Sequence, residues 1–427
     1  MATIKAFRGI LYNHEKIRDR AKVVAPPYDV ISPTMQDRLY RAHPNNIIRL
    51  ILGKKKKSDN ERENQYTRSR DYFSDWLSNE MLVRDRQEAL YLYGHDYRED
   101  GAAKSRVGFI GLLKLEKFSK KGVLPHEHVF SIPKADRLRL IQEVRANLSP
   151  IFSLFEDDNG RITKVLLAGI RAHRPVLDVS IDGVRHRLWK LTDEKTIAVL
   201  KKAFRSKRIF IADGHHRYSV ALAYRDLMKR SGEHLAAHDY VMMYLTAMNE
   251  HSLTILPSHR MVHDIKGLTR SDILGHLKDH FDAQEVSGKQ RLLAGLKKGS
   301  RGDKHVFGLF MDKRFYLIRM KNTRSLDGID VPGTSRQWKR LDVSILHYLI
   351  LRKLLGLDDS EGNVSYTRDA DEATREVSRG TYALAIFLNP TRIQSVEAIA
   401  RNGELMPHKA TYFYPKLLSG LVLNVFA

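Results

Sequence analysis

The chain has 427 residues, with 73 Lys and Arg against 50 Asp and Glu, a net charge of +23 and no cysteine. That length suggests two or three domains, and the missing cysteine excludes disulfides, thiolate-held zinc, iron–sulfur clusters and thiol catalysis. The basic excess favours anionic partners without choosing among nucleotides, nucleic acid and acidic lipid.

The opening MATIKAFRGIL lacks an apolar core with a small-residue cleavage site. No apolar run reaches the roughly 18 residues of a membrane span. The expectation is a cytoplasmic protein with no membrane partner. In AKVVAPPYDVIS, from Ala21 to Ser32, two prolines fix φ and remove amide donors, which predicts a rigid extended loop. A helix comes next, with Ser32 as cap and Pro33 in its first turn. NNIIRLILG, from Asn45 to Gly53, reads as a strand, and the lysine run Lys54–Lys57 as an exposed loop. Tyr66, Arg70, Phe73, Trp76 and Leu77 recur at helical spacing. EALYLYGHDYR and SRVGFIGLLKLEKF read as two strands around a hairpin turn. VLPHEHVFSIPKADRLRLIQEVRANLSPIFSLF passes from loop to helix to strand, and RHRLWKLTD and RIFIADG are further strands. YVMMYLTAM and LTILPSHRMVH add more. Beyond them lie a helix capped at Thr269, a hairpin around Asp312-Lys313, a helix from Leu341 that ends near Gly356, and a buried strand in YALAIFLNP. The fold class is α/β or α+β with mixed sheets. The division is expected near Ile265, with residues 1–265 holding the functional core and 266–427 forming a C-terminal α+β region.

The segment RIFIADGHHRYSVALAYR carries the densest chemistry. IFIA is an apolar strand, and Val220, Ala223, Tyr224 and Leu227 give the helix after it one apolar face. Asp213 through Arg217 therefore sit where a strand ends and a helix begins. First-turn amides and the helix dipole favour an anion there. Gly214 lets backbone approach a ligand, Arg217 can grip phosphate oxygens as a fork, and His215 and His216 can donate to them. Asp213 can hold Mg²⁺ or take a proton.

VVAPPYDVIS, HPNNIIRLIL, ADGHHRYSVALAYR, LPSHRMVH and MPHKATYFYPKLLSGLV resemble, in order, the hallmarks of the family called domain of unknown function 1015, from about Phe7 to Val422. That family's C-terminal motif usually reads Lys-Ser-Thr; here it is Lys409-Ala410-Thr411. The turn also resembles the ParB/sulfiredoxin superfamily, in which Gly-x-x-Arg at a helix start holds nucleotide phosphates. Sulfiredoxins have a nucleophilic cysteine where this chain has His215, so their redox route is excluded. A free-serine kinase of the superfamily carries Asp-Gly-His-x-Arg, matched here at Asp213, Gly214, His215 and Arg217. The resemblance implies a ParB/sulfiredoxin-like core and phosphoryl transfer between a nucleotide, ATP or ADP with Mg²⁺, and a small hydroxyl compound such as L-serine.

Beside this turn, Tyr28 and Asp29 form a polar pair on the Pro-Pro loop, and Glu127 is a candidate base between His126 and His128. Arg145 and Asn147 either face the site or end a helix. Tyr218, Arg260, Lys409, Thr411 and Lys416 are candidate phosphate contacts. The leading expectation is an enzyme, a nucleotide-dependent phosphotransferase, with Asp213, Glu127 or Asp29 in the catalytic role and Asp213 as metal ligand. A ParB-like, nucleotide-switched nucleic-acid-binding protein is the second reading, supported by charge but by no helix-turn-helix. A metal-dependent hydrolase built on His126, His128, His215 and His216 is the third, although adjacent histidines do not easily share one tetrahedral site.

Overall fold

The computed structural model describes residues 2–129, 131–249, 251–299, 304–357 and 362–426. They form two compact units, one of residues 1–125, 129–254 and 415–427, the other of residues 126–128 and 255–414. The α/β class is observed, with mixed strand directions in the first unit and an antiparallel sheet in the second.

The first unit is built on a nine-stranded sheet. Its order is Val123–Leu124, Ile209–Asp213, Ile151–Phe155, Tyr240–Ala247, Ala102–Lys114, Leu90–Glu99, Val184–Leu191, Leu177–Ile181, with Ile4–Lys5 also on the 102–114 strand. Two pairings are parallel, 209–213 with 123–124 and 240–247 with 151–155. Strand alternation decides the two faces. Leu90, Leu92, Phe109 and Trp189 share a core with Ile162, Leu166, Leu200 and Phe204 from the helices Arg161–Ala172 and Glu194–Phe204. Tyr91, Tyr93 and His95 alternate with Leu90 and Leu92 and so take the other face.

The 209–213 strand is buried at Ile209, Phe210, Ile211 and Ala212, as expected of a strand covered on both sides. Its register with the 151–155 strand shifts between Ile211 and Asp213. Such a bulge bends the strand and re-aims the next side chain, here Asp213. The predicted helix after it begins at His215 and runs to Ser231, closed by Gly232 at φ 77°.

The last residues also belong to the first unit. Ser419 exchanges backbone hydrogen bonds with Ala25, and Leu423 with Ile10. Asn424 pairs with Asn147, whose Oδ1 also accepts from the Met242 amide at 3.1 Å. The sequence places residues 266–427 together; the compact units part at Thr254/Ile255 instead, and the chain rejoins the first unit at Pro415.

The second unit carries a six-stranded antiparallel sheet, ordered Phe281–Val286, Arg314–Met320, Val306–Met311, Leu384–Phe387, His259–Val262, Val364–Thr367. The hairpin at Asp312-Lys313 is present, both residues at positive φ (49° and 59°), as a tight two-residue turn requires. The helix at Arg270–Leu277 has its Thr269 cap, with Asp272 completing a capping box. Pro257 falls in the gap between the short strands Thr254–Leu256 and His259–Val262.

One element differs in kind from its reading. Asn45–Gly53 contains the helix Ile48–Ile51, not a strand. Asn46 Oδ1 accepts from the Ile48 amide at 2.9 Å, and Ile47, Ile48, Leu50 and Ile51 are all buried. A short run apolar on every side carries no period to separate strand from helix, and the Asn46 side chain supplies the turn. The Pro-Pro loop holds a single helical turn at Tyr28–Val30.

Gly108 offers a direct test of this packing. A Cβ there would lie 2.4 Å from the Leu245 carbonyl oxygen and 2.7 Å from the Tyr244 ring, on the neighbouring strand. Gly108→Ala should destabilise the protein by about 1–3 kcal/mol, read as a lower denaturant midpoint at unchanged slope.

Candidate functional site

The strand–turn–helix at 209–231 presents Asp213 with both carboxylate oxygens engaged. Arg217 Nη2 donates to Oδ2 at 2.8 Å, and Lys416 Nζ donates to Oδ1. The three side chains are 12–14% exposed. Arg217 lies one helical turn after Asp213 and also donates through Nη1 to the Pro150 carbonyl. Its Nε is enclosed and has no hydrogen-bond partner.

Gly214 makes this geometry possible. Its φ is 96°, in the left-handed region, and a Cβ would lie 2.9–3.0 Å from the Arg217 guanidinium. The guanidinium thus folds back over a residue that must lack a side chain.

Burial alone would raise the Asp213 carboxyl. The fields of Lys416 and Arg217, the Lys416 hydrogen bond and nearby His215 outweigh it and hold the group well below the usual carboxylate range. This bears on both roles expected of Asp213. Its oxygens are engaged by Lys416 and Arg217 and not open to a substrate proton. It also does not fit as a metal ligand, because both oxygens are already held by cations. Among the described residues, no group of three or more His, Asp or Glu side chains is placed to hold a metal ion. The four histidines of the hydrolase reading are divided between the units, His126 and His128 in one, His215 and His216 in the other.

Tyr28, from the Pro-Pro loop, lines an adjoining cavity of about 70 Å³ together with Arg217 and Arg137. Apolar side chains such as Leu140, Leu148 and Val220 supply much of its wall. The Arg137 guanidinium lies 4.2 Å from the Tyr28 ring centroid and donates to the Ile51 carbonyl. Burial, reinforced by Asp29, pushes the Tyr28 hydroxyl up to about 12 against the opposing fields of Arg137 and Arg217. Tyr28 therefore stays protonated at neutral pH and can donate. Asp29 itself is exposed. His215 is buried and His216 half-buried.

Other predicted residues lie elsewhere. Tyr218 is wholly buried, donates to the Glu116 carbonyl at 2.8 Å and stacks on Phe118, which makes it a core residue and not a phosphate contact. In the second unit, Arg260 is likewise 0% exposed; its guanidinium donates to the carbonyls of Ser258 and Lys409 and meets His347 Nε2 at 3.1 Å. It anchors the Lys409 loop and is closed to an incoming phosphate. Thr411 Oγ1 is 3.0 Å from His126 Nε2, and Glu127 bridges to Met406 in the same unit. Lys409 stands at φ 54°. As read from sequence, Arg145 and Asn147 lie just past a helix end; Asn147 ties strands together.

Arg106 and Arg137 are the site residues that sequence patterns passed over. Arg106 is fully buried, opposite His95 in the sheet, and its Nη2 donates 2.6 Å to the Pro415 carbonyl, immediately before Lys416. Its signal was a charged residue at an inward position of an otherwise apolar strand.

The fold and this geometry define an α/β protein whose strand–turn–helix holds Asp213, Arg217 and Lys416 together. The chain belongs to the family described as protein of unknown function (DUF1015), whose model matches residues 4–344. No curated protein matches it. Solved structures similar to it include a free serine kinase variant in complex with AMP (12% identity, TM-score 0.35, covering 70% of this chain and 87% of that one). A conserved hypothetical protein from Pyrococcus furiosus gives 12%, 0.32, 71% and 94%. A C-terminally truncated SbnI from Staphylococcus aureus gives 12%, 0.35, 73% and 85%. All three are distant by both measures. Among the described residues no helix is long and apolar enough to cross a membrane.

The depressed Asp213 carboxyl fixes a sign. Its contribution is fully present above the unfolded value of about 3.9 and is lost as pH falls through the lower folded value. Asp213→Asn should therefore cost about 3–5 kcal/mol at neutral pH, with the deficit relative to wild type shrinking in acid below about pH 4, read by denaturant unfolding across pH.

Proposed function

We propose that the protein is a nucleotide-dependent phosphotransferase acting on a small hydroxyl compound, with free L-serine as the first candidate. The observation that carries the reading is Asp213 holding Arg217 and Lys416 together at the start of the 215–231 helix. Two cations share one carboxylate there, beside first-turn amides, so an added anion is favoured. Phosphoryl transfer draws most of its catalysis from positioning and charge stabilisation, which such a cluster supplies.

In this reading Arg217, Lys416 and the amides after Gly214 hold the phosphates of ATP or ADP, with His215 and His216 flanking them. Asp213 acts as a positioning residue that keeps both cations aimed. Tyr28 donates from the cavity beside Arg217, whose apolar wall would exclude water from the bound ligand. Asp29 is the carboxylate proposed to accept the substrate proton. The ParB/sulfiredoxin-like core is assigned to the 209–231 unit. The choice of serine rests on the Asp-Gly-His-x-Arg match alone.

Titration calorimetry with ATP, ADP and CTP in magnesium buffer tests the reading. Arg217→Ala should weaken nucleotide binding about 10- to 100-fold, as loss of a charge-assisted hydrogen bond does. Unchanged affinity in a folded Arg217→Ala protein sinks the assignment.

A further inference from the structure

The cavity beside Arg217 is selective about what can fill it. It lies wholly within the first unit and measures about 70 Å³. At roughly 15 Å³ for one water, that is room for about five waters, or for a molecule of about five or six non-hydrogen atoms, smaller than a purine. Most of its wall is apolar, with Ile51, Leu140, Ile141, Leu148, Val220 and Val241 among the side chains that form it. The polar lining is Tyr28, Arg137, Asn147, Ser149 and Arg217. Among the described residues no Asp or Glu lines it.

These polar groups offer hydrogens and little to accept one. Asn147 is 8% exposed, and its Oδ1 already accepts from the Met242 amide and from Asn424 Nδ2. Its own Nδ2 has no hydrogen-bond partner among the described residues, and neither has the Tyr28 hydroxyl. Tyr28 stays protonated, so it too is a donor. Ser149 Oγ is occupied by Ser419 Oγ at 2.6 Å. Arg137 engages Asp136 through Nε and Nη2 and the Ile51 carbonyl through Nη1, which leaves a second hydrogen on each Nη. The carboxylates paired with the two guanidiniums, Asp136 and Asp213, both stand outside the lining. A buried donor left without an acceptor is costly. The cavity therefore calls for acceptor oxygens at its polar side and for carbon along the rest.

We infer that this cavity binds a short aliphatic carboxylate of about three or four carbons, its oxygens on Tyr28, Asn147 and Arg137 and its chain against the apolar wall. Hydrogen bonds to an ionised carboxylate are the strong kind, and the guanidiniums answer its charge. An ammonium in the same place would meet two guanidiniums and no carboxylate, which is the costly case of a buried unpaired charge. Where the inference names the acceptor of phosphoryl transfer it rests on the phosphotransferase reading, and that acceptor is then a hydroxy acid without an amine. 3-Hydroxypropanoate, which is serine without its ammonium, is expected ahead of serine, which the motif match alone puts forward. Its hydroxyl oxygen would take the terminal phosphoryl group of ATP or ADP, releasing ADP or AMP and the hydroxyl proton.

Calorimetry on the full chain with propanoate, 3-hydroxypropanoate and L-serine, in the absence of nucleotide, is the test. Both acids should bind saturably, and serine at least about tenfold more weakly. Tyr28→Phe keeps the ring on Arg137 and removes only the hydroxyl; it should weaken propanoate binding about tenfold. Hexanoate, too long for the cavity, should not bind, and this limit is read on wild type, so it decides even where Tyr28→Phe fails to fold. Absence of saturable propanoate binding, serine as tight as 3-hydroxypropanoate, hexanoate as tight as propanoate, or unchanged affinity in a folded Tyr28→Phe protein overturns the inference. Nucleotide titrations are read separately. Nucleotide binding without carboxylate binding overturns this inference alone, whereas carboxylate binding without nucleotide binding upholds the cavity's ligand and overturns the phosphotransferase reading.

Discussion

The first unit is organised around a single carboxylate that must answer two cations. Asp213 sits largely out of water, where an isolated charge costs several kcal/mol. Its first partner, Arg217, is local and arises from one turn of helix. Its second, Lys416, lies 203 positions later in the chain. The C-terminal segment must therefore enter the first unit in one register. It is held there by Arg106 on the Pro415 carbonyl, Ala25 on Ser419, Ile10 on Leu423 and Asn147 on Asn424. A slip of one residue would turn Lys416 away from Asp213 and leave the carboxylate with Arg217 alone.

This convergence explains why stretches far apart in sequence each look unusual. The Pro-Pro loop contributes both Ala25, which grips the C-terminal segment, and Tyr28, which reaches the cavity beside Arg217. The segment around Asn147 and Pro150 provides an anchor for Asn424 and an acceptor for Arg217. Gly420, at φ 87° with Ile47 3.0 Å from where its Cβ would stand, lets the returning chain pass close to the 48–51 helix. Each is a constraint of close approach, and none has a meaning that a local reading of its own segment would supply.

What was legible in the sequence was what local chemistry decides. Ser32 and Thr269 cap helices because their hydroxyls reach amides three residues on. Asp312-Lys313 turns a hairpin, and Asp213-Gly214 ends a strand and starts a helix, for equally short-range reasons. What stayed hidden was what burial decides. Tyr218 and Arg260 looked like ligand contacts because of their neighbours in sequence, yet the first fills the core and the second is sealed among carbonyls. Ile48–Ile51 looked like a strand because apolar residues on every side erase the period.

The contrast between Arg217 and Arg260 shows what makes an arginine available. Both come directly after a histidine and sit near the end or start of a strand, and both donate to carbonyl oxygens. Arg260 is closed off entirely, so any attraction it has for an anion is spent inside the protein. Arg217 instead shares its carboxylate with a second cation and keeps part of its side chain open. A guanidinium held that way is fixed in place without being neutralised, because one negative charge cannot cancel two positive ones. The excess acts at short range in a poorly hydrated place, where Coulomb attraction is several times stronger than in water. In the proposed function Asp213 serves to position Arg217 and Lys416 for an anionic ligand.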